Sequence, residues 1–455
     1  MTQTRSLYLA ILLVLILAGS LRVVLVYLQT DQLQQDRDAY LAIAHNLATG
    51  HGYSSSMNTE TNEIQPTAFR PPLYPCLLAV IYYLKAAPVG IGIAQIFLGI
   101  LTVWLTWQTA KCLEMEVGGI FAAAIVATDP VLLQYTAYAM TEVLASFLSS
   151  LLLYFLISSF SAEKSPTDTK LPFPISFWAG IVWGAAILCR PTYLAFFGVW
   201  IAARLTSSLL QRFHIVKTQS SVKQKSGQIS YLTLGIILAV SPWLIRNLVV
   251  FHSPILTTTH GGYTLLLGNN PVFYQEVVQK PWGTVWSGKS LHTWQTSLEE
   301  QITQQVPAIK SEQERDRWMY QRAKQNISEQ PEQFVQSCIL RFKRFWNVSP
   351  LTHSTLTAKP LINWSIAGYY SLVLIGCFGG IFMVIWNKEK KWAPLVLLIF
   401  SFTLVHLFYW TNMRMRAPLV PAIALLSIYG WSQIVRFFKF ARPSKASQNN
   451  LHNNR

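Results

Sequence analysis

Some 10–11 apolar runs divide this chain, at about 7–27, 71–87, 90–110, 118–135, 140–160, 173–191, 193–208, 229–250, 365–387, 393–411 and 417–436. A helix crossing the hydrocarbon of a bilayer needs about 20 apolar residues and must satisfy its backbone polar groups internally. So many runs near that length define one class, an all-α polytopic membrane protein. The side-chain balance agrees: 52% of residues are hydrophobic and 12% charged, against about 25% charged in a soluble domain. The 16 Trp and 19 Tyr suit the interfacial belts where amphipathic rings settle at headgroup level.

A formal charge of +16 raises the question of nucleic acid. The Lys and Arg residues fall mainly in short loops between runs and in the C-terminal tail, as a positive-inside bias distributes them. Membrane lipids are therefore the expected partner of this charge, and nucleic acid is not. Cys76, Cys112, Cys189, Cys338 and Cys377 form no C-x-x-C pair, so neither a disulfide framework nor a zinc site is expected. The first run carries Arg5 before it and no clean small-residue cleavage site after it, which favours an uncleaved first span.

The basic loops orient the chain. Residues 161–170, the run from Arg212 to Lys225, the stretch 387–391 and the tail after Arg436 are expected in the cytoplasm. Asp36, Glu142, Arg190, residues 251–364 and the Asn412–Arg416 turn then fall outside. That assignment needs an even number of crossings between Asp36 and Glu142, yet three apolar runs lie there. One of them, 71–87 or 118–135, is expected to be re-entrant, horizontal or otherwise short of a full crossing.

The chain accordingly divides into an N-terminal membrane module at 1–250, with a long first extracytoplasmic loop at 28–70, a larger mixed extracytoplasmic loop at 251–364, C-terminal membrane helices at 365–436, and a basic cytoplasmic tail at 437–455 without expected fixed structure. The large loop opens on a turn-rich, strand-like stretch at 252–273. It continues as two amphipathic helices broken at Pro331.

The first loop is dense in polar chemistry. Asp36 and Tyr40 are one helical turn apart, and Ala44-His-Asn-Leu-Ala-Thr-Gly50-His-Gly52-Tyr53 and Pro66-Thr-Ala-Phe-Arg70-Pro-Pro-Leu-Tyr74-Pro75 follow. Later come Thr141-Glu142, Cys189-Arg190-Pro191-Thr192, Ser241-Pro-Trp-Leu-Ile-Arg246-Asn247, Thr258 with Gly261-Gly262 and Gly268-Asn-Asn-Pro271, and Arg414-Met-Arg416-Ala-Pro418. In this order the motifs resemble the polyprenyl-phosphate-sugar-dependent glycosyltransferases of the GT-C class, the group of the protein O-mannosyltransferases and the lipid A aminoarabinose transferases. The resemblance covers most of the chain. It implies a GT-C-type helix bundle in the plasma (inner) membrane, with its active site on the periplasmic or extracellular face. It further implies inverting transfer of a sugar from a polyprenyl-phosphate-linked donor to a hydroxyl or amine of a lipid, protein or polysaccharide acceptor, and it carries the catalytic base to Asp36.

The residue types suit that chemistry. An acceptor hydroxyl must lose a proton as it attacks, which a carboxylate can take. The leaving phosphate gathers negative charge, which arginine stabilises with a matching fork of donors. Asp36 is the first candidate base and Asp38 its nearest rival. As a D-x-D the two could instead hold a divalent cation, although no metal site is otherwise expected. Glu142 is a second acid, a ligand for acceptor or metal, or simply an acid favoured at a helix N-terminus. Arg70 lies beside a Pro-Pro step, as a phosphate contact or as a partner for Asp36. Arg190, Arg246, Arg414 and Arg416 occupy the face that positive-inside bias disfavours, either to bind phosphate or to snorkel to headgroups. Tyr40 and Tyr74 complete the candidate substrate-binding set. His45, His51, His260, His353 and His406 lack metal-ligand spacing, and no phosphate-loop or dinucleotide fingerprint supports a soluble nucleotide-sugar donor. The competing readings are a transporter or flippase of a lipid-linked sugar, and a membrane protein without catalysis.

Overall fold

A computed structural model describes residues 2–55, 65–162, 174–212, 222–304, 311–350 and 360–440. The loop at 163–170, most of the Arg212–Lys225 run, His353 and the tail from 441 onward lie outside the described residues. Among the described residues there are no strands, and one isolated bridge joins Ser54 to Pro66.

Each apolar run carries a helix. The first module contains α1 (Thr2–Leu28), α2 (Tyr40–Ala48), α3 (Leu73–Tyr83), α4 (Val89–Cys112), α5 (Glu116–Thr128), α6 (Pro130–Thr136), α7 (Glu142–Ala162), α8 (Ile175–Cys189), α9 (Thr192–Arg212) and α10 (Val222–Phe251). The large loop forms α11 (Gly261–Gly268), the single turn α12 (Pro271–Phe273), α13 (Gly288–Gln304), α14 (Glu312–Glu329) and α15 (Pro331–Phe345). The chain then returns through α16 (Pro360–Trp386), α17 (Ala393–Phe408) and α18 (Val420–Phe440). Among the described residues, 7 helices are long and apolar enough to cross a membrane.

Both runs named as falling short of a crossing, 71–87 and 118–135, carry helices shorter than a span. The 11-residue helix α3 rises about 16 Å, roughly half of the ~30 Å hydrocarbon thickness. The run at 118–135 becomes two helices, α5 and α6, that together extend over 116–136. Their break is built in: the Asp129 carboxylate accepts from the Leu132 N–H at 2.9 Å and Pro130 takes the first helical position. An even number of crossings would follow if α4 and the α5–α6 pair cross and α3 does not. At the far end of the bundle, Lys391 pairs with Glu114 at 2.8 Å, so the basic 387–391 stretch sits opposite the end occupied by Asp38 and Glu142.

Small residues let the spans touch backbone to backbone. A Cβ on Gly180 would collide with the Leu232 carbonyl of α10, and one on Gly430 of α18 with the Gly376 carbonyl of α16. Lipid gives no hydrophobic drive between helices, so such close van der Waals packing and interhelical hydrogen bonds hold the bundle.

The large loop differs from expectation at its start. The stretch read as strand-like is helical over Gly261–Gly268, because α14 supplies a partner that the local pattern could not show. Asp316 accepts from the Gly262 N–H at 2.7 Å, and a Cβ at Gly262 would strike the Asp316 backbone. The two amphipathic helices broken at Pro331 are present as α14 and α15. α14 opens on a capping box formed by Ser311 and Glu314. Leu265, Leu266, Leu298, Ile302, Met319 and Ala323 form a small core of this cap.

Candidate active site

The two aspartates of the first loop point to different tasks. Ala39 between Asp38 and Tyr40 holds a left-handed backbone, φ 61°, a conformation that costs a residue with a Cβ about 1–2 kcal/mol. Asp36, before this turn, is exposed and caps α2: its oxygens accept from the Leu41 N–H at 3.1 Å and the Ala42 N–H at 2.8 Å. Asp38 instead pairs with Arg70, Oδ1 to Nη2 at 3.1 Å, while Arg70 Nε donates to the Asp38 carbonyl at 2.7 Å. The Arg70 guanidinium also lies 5.3 Å from the Tyr40 ring centroid, a cation–π distance.

Glu142 opens α7 and is fully buried. Its Oε1 lies 2.7 Å from Arg190 Nη2, and Arg190 Nε donates to the Thr141 hydroxyl at 2.9 Å. Arg414 comes from the 3-10 turn Met413–Leu419, where the Asn412 side chain accepts from its N–H at 3.1 Å. It stands between the two acids, with Nη2 3.8 Å from Asp38 and Nε 3.9 Å from Glu142. Neither distance is a hydrogen bond; Nη1 donates to the Met140 sulfur at 3.4 Å, while Nε has no hydrogen-bond partner and is left for a ligand. The order is Arg70, Asp38, Arg414, Glu142, Arg190: three cations facing two anions, an excess of one positive charge (3 − 2 = 1). Such a cluster is suited to receive an anion of phosphate type.

Tyr40 and Tyr74 floor this cluster. Both are buried and meet edge to face at 5.4 Å, and Gln95 Nε2 donates to the Tyr74 hydroxyl at 3.3 Å. Burial, opposed by the Arg70 charge, pushes the Tyr40 phenol up to about 12, so it keeps its proton at neutral pH.

Arg246 and Arg416 are not brought to the cluster. Arg246 donates to the Tyr53 carbonyl at 2.7 Å and the Thr67 carbonyl at 2.9 Å, tying together two parts of the first loop. Arg416 donates to the Asn347 carbonyl at 2.6 Å and the Phe345 carbonyl at 3.3 Å. Carbonyls at a helix C-terminus lack intrahelical partners, and a nearby guanidinium satisfies them. The acidic pair does not fit a divalent cation either: Asp36 is occupied by backbone donors and Asp38 is flanked by two guanidiniums. Among the described residues no group of three or more His, Cys, Asp and Glu could hold a metal.

Two features had little or no local signal. Glu312 of α14 accepts from the Thr67 hydroxyl at 3.1 Å, the Ala68 N–H at 3.1 Å and the Thr259 hydroxyl, holding the strap that ends in Arg70. Its partner Thr67 is 245 positions away. Arg22, buried within α1, donates to the carbonyls of Ala18 and Ala127 at 3.0 and 3.2 Å. An arginine inside an apolar run was its only trace.

Residues 69–245 match the family model of the dolichyl-phosphate-mannose-protein mannosyltransferases. The matched stretch contains Arg70, Tyr74, Glu142 and Arg190. No curated protein matches the chain in sequence. Among solved structures, the chain is similar to the archaeal oligosaccharyltransferase AglB from Archaeoglobus fulgidus in complex with an inhibitory peptide and a dolichol-phosphate, with 14% identity over 96% of this chain and 52% of that chain and a TM-score of 0.54. The apo form of the Archaeoglobus fulgidus oligosaccharyltransferase gives 14% identity, 97% and 52% coverage, and a TM-score of 0.55. The chain thus spans about half the length of these structures. ArnT from Cupriavidus metallidurans bound to undecaprenyl phosphate covers 92% of this chain and 78% of that one at 12% identity, with a TM-score of 0.40, too low to establish a shared fold. The fold is that of a GT-C-type membrane bundle. Within that class, the resemblance to lipid-phosphate-sugar-dependent transferases is upheld by the matched family segment.

Proposed function

We propose that the protein is an integral-membrane glycosyltransferase that moves a sugar from a polyprenyl-phosphate donor to an acceptor hydroxyl or amine at the extracytoplasmic face. The observation that carries this reading is Asp38 between Arg70 and Arg414, at 3.1 and 3.8 Å, at one end of a GT-C-type bundle. The AglB structure of shared fold was solved with a dolichol-phosphate, and a lipid phosphate is the ligand whose charge the excess cation here would balance. The extracytoplasmic face rests on the basic 387–391 stretch at the opposite end.

In this reading the acceptor O–H gives its proton to a carboxylate and its oxygen forms a bond to the anomeric carbon. The bond from that carbon to the phosphate oxygen breaks, and the lipid phosphate leaves with the electron pair, stabilised by Arg414 and Arg70. One displacement inverts the anomeric centre. Asp38 is our choice of base, because it is the partly exposed carboxylate among the arginines, whereas Glu142 is committed to Arg190 in the interior. Asp36, where the resemblance puts the base, is the competing assignment, and its oxygens are engaged by α2. Arg414 comes from the C-terminal helices, so the catalytic unit we propose draws on both 1–250 and 365–436.

The test is transfer of radiolabelled sugar from polyprenyl phosphate by the purified protein in liposomes. Asp38→Asn should lower it by about 10²- to 10⁴-fold with insertion unchanged. Full activity in that variant together with loss in Asp36→Asn would return the base to Asp36. Movement of lipid-linked sugar across the bilayer with no transfer product would replace the enzyme by a flippase.

A further inference from the structure

A surface helix on a water-exposed cap turns its charged face outward. α15 departs from this: its exposed side carries Glu332, Gln336 and Lys343 but also three apolar residues, and its two arginines point inward. Arg341 and Ser337 are fully buried and Arg344 nearly so, while Val335, Ile339 and Phe342 are 55%, 53% and 45% exposed. The three apolar residues follow i, i+4, i+7 spacing and form one outward stripe. The inward arginines are used on backbone carbonyls: Arg341 Nε donates to Leu407 at 2.6 Å, and Arg344 to Thr284.

The contacts of α15 also give its direction. Phe334 meets Phe408 at 6.0 Å between centroids, Arg341 reaches the Leu407 carbonyl, and Phe345 stacks on His406 at 5.2 Å. Twelve positions of α15, Phe334 to Phe345 and about 16 Å of helix, therefore meet three consecutive residues of α17, about 3 Å of rise. α15 lies across the end of a membrane span instead of running along it. The span that ends at Phe408 begins at Lys390 and has 19 residues, about 29 Å, close to the ~30 Å hydrocarbon thickness, so the helix laid across its end lies at the hydrocarbon edge.

The stripe also continues into the lipid-facing surface. Trp346, just after α15, packs on Phe378 of α16 at 5.1 Å, and Phe378 shares the exposed side of that span with Leu372, Ile375 and Phe382. Exposed Lys343 flanks the stripe, where its stem can lie on apolar surface and its ammonium can reach headgroups. We propose that α15 is an interfacial membrane helix, with Val335, Ile339 and Phe342 among the acyl chains at the bundle end that carries the arginine cluster. The cap is thereby seated on the bilayer along one side, although its sequence carries no span. A second copy of the chain would need an apolar face ending at α15, whereas this one runs on into the spans. That continuity selects lipid as the occupant, and the inference does not depend on the reaction catalysed.

The experiment uses the unaltered protein in nanodiscs containing a phospholipid with a photoactivatable diazirine in its acyl chain, followed by peptide mapping. Carbene adducts are expected at Val335, Ile339 or Phe342 within about twofold of those at Leu372–Phe382 of α16, with none on the polar helix α14. Hydroxyl-radical footprinting should leave Phe342 protected. Adducts on α16 with none on the stripe would overturn the proposal. In that outcome, radical labelling of Phe342 assigns the stripe to water, and protection from both reagents assigns it to a protein partner.

Discussion

Asp38 and Arg70 are 32 positions apart in the chain and 3.1 Å apart in the fold. Arg414 closes on the same carboxylate from the other end of the sequence, at 3.8 Å. The first loop and the turn before the last span therefore share one charge, and the strap that carries Arg70 is itself held by the cap through Glu312. A cluster assembled from three distant segments is preorganised only when all three are in place.

The two aspartates separate by the quantity each variant changes. Asp38→Asn should lower the transfer rate by about 10²- to 10⁴-fold, the range of a lost general base. Asp36→Ala removes a helix cap and should cost about 1 kcal/mol of stability with little loss of rate per folded molecule. Parallel measurement of single-turnover transfer and of thermal unfolding in detergent checks both.

Arg190 and Glu142 make a buried pair at 2.7 Å. Arg190→Ala strands a buried carboxylate and should cost about 3–5 kcal/mol, whereas the double change Arg190→Met with Glu142→Gln should recover a large part of that loss. Unfolding midpoints of the single and double variants decide it. A loss that the double variant does not recover would mean that Arg190 matters for its bond to Thr141 and not for its charge.

The bundle was legible in the sequence because apolar length is a local property: all the runs carry helices, and Pro331 divides α14 from α15 as its chemistry requires. Where the helices of the 71–87 and 118–135 runs end was not legible, since both runs are largely apolar; in the structure α3 stops at Tyr83 and α5 at Thr128. At the site, residue types were legible and partners were not. Arg70, Glu142, Arg190 and Arg414 announced themselves as charges beside apolar runs, but so did Arg246 and Arg416, which bind carbonyls. Asp36 and Asp38 differ by two positions, and the left-handed Ala39 that parts their roles has no signature in an alanine. Glu312 is invisible in principle from its own neighbourhood.

Glu312 should control the order of the Arg70 strap. Glu312→Ala leaves the Ala68 N–H and the Thr67 and Thr259 hydroxyls without their acceptor, at about 1–3 kcal/mol for each buried group left unpaired. Hydrogen exchange at Ala68 should quicken by at least about tenfold, since a factor of ten corresponds to ~1.4 kcal/mol of opening free energy. Unchanged exchange would show that Arg246 and the Thr259 N–H, which donates to the Ala68 carbonyl at 3.0 Å, hold the strap alone.

The cap should weaken on acidification through His260. This ring is packed edge to face against Phe69 at 4.3 Å and stacked on Tyr263 at 5.2 Å. Burial first, and the Arg70 charge second, hold its pKa well below 6.5. In the unfolded chain the imidazole takes its proton near pH 6.5, whereas in the fold it stays neutral until far lower pH. Between those two values the unfolded state binds the extra proton. Stability is therefore full above about pH 6.5 and falls as pH drops below it, by up to about 1.4 kcal/mol per pH unit. The groups facing the ring do not reverse this: burial raises the Tyr263 phenol, so it stays protonated, and any contribution from Asp316 is common to wild type and variant. His260→Gln removes the titrating group, so its unfolding midpoint should change less between pH 7.5 and pH 5.0 than that of the wild type. Equal slopes in the two proteins would mean that the ring is reached by water and protonates in place.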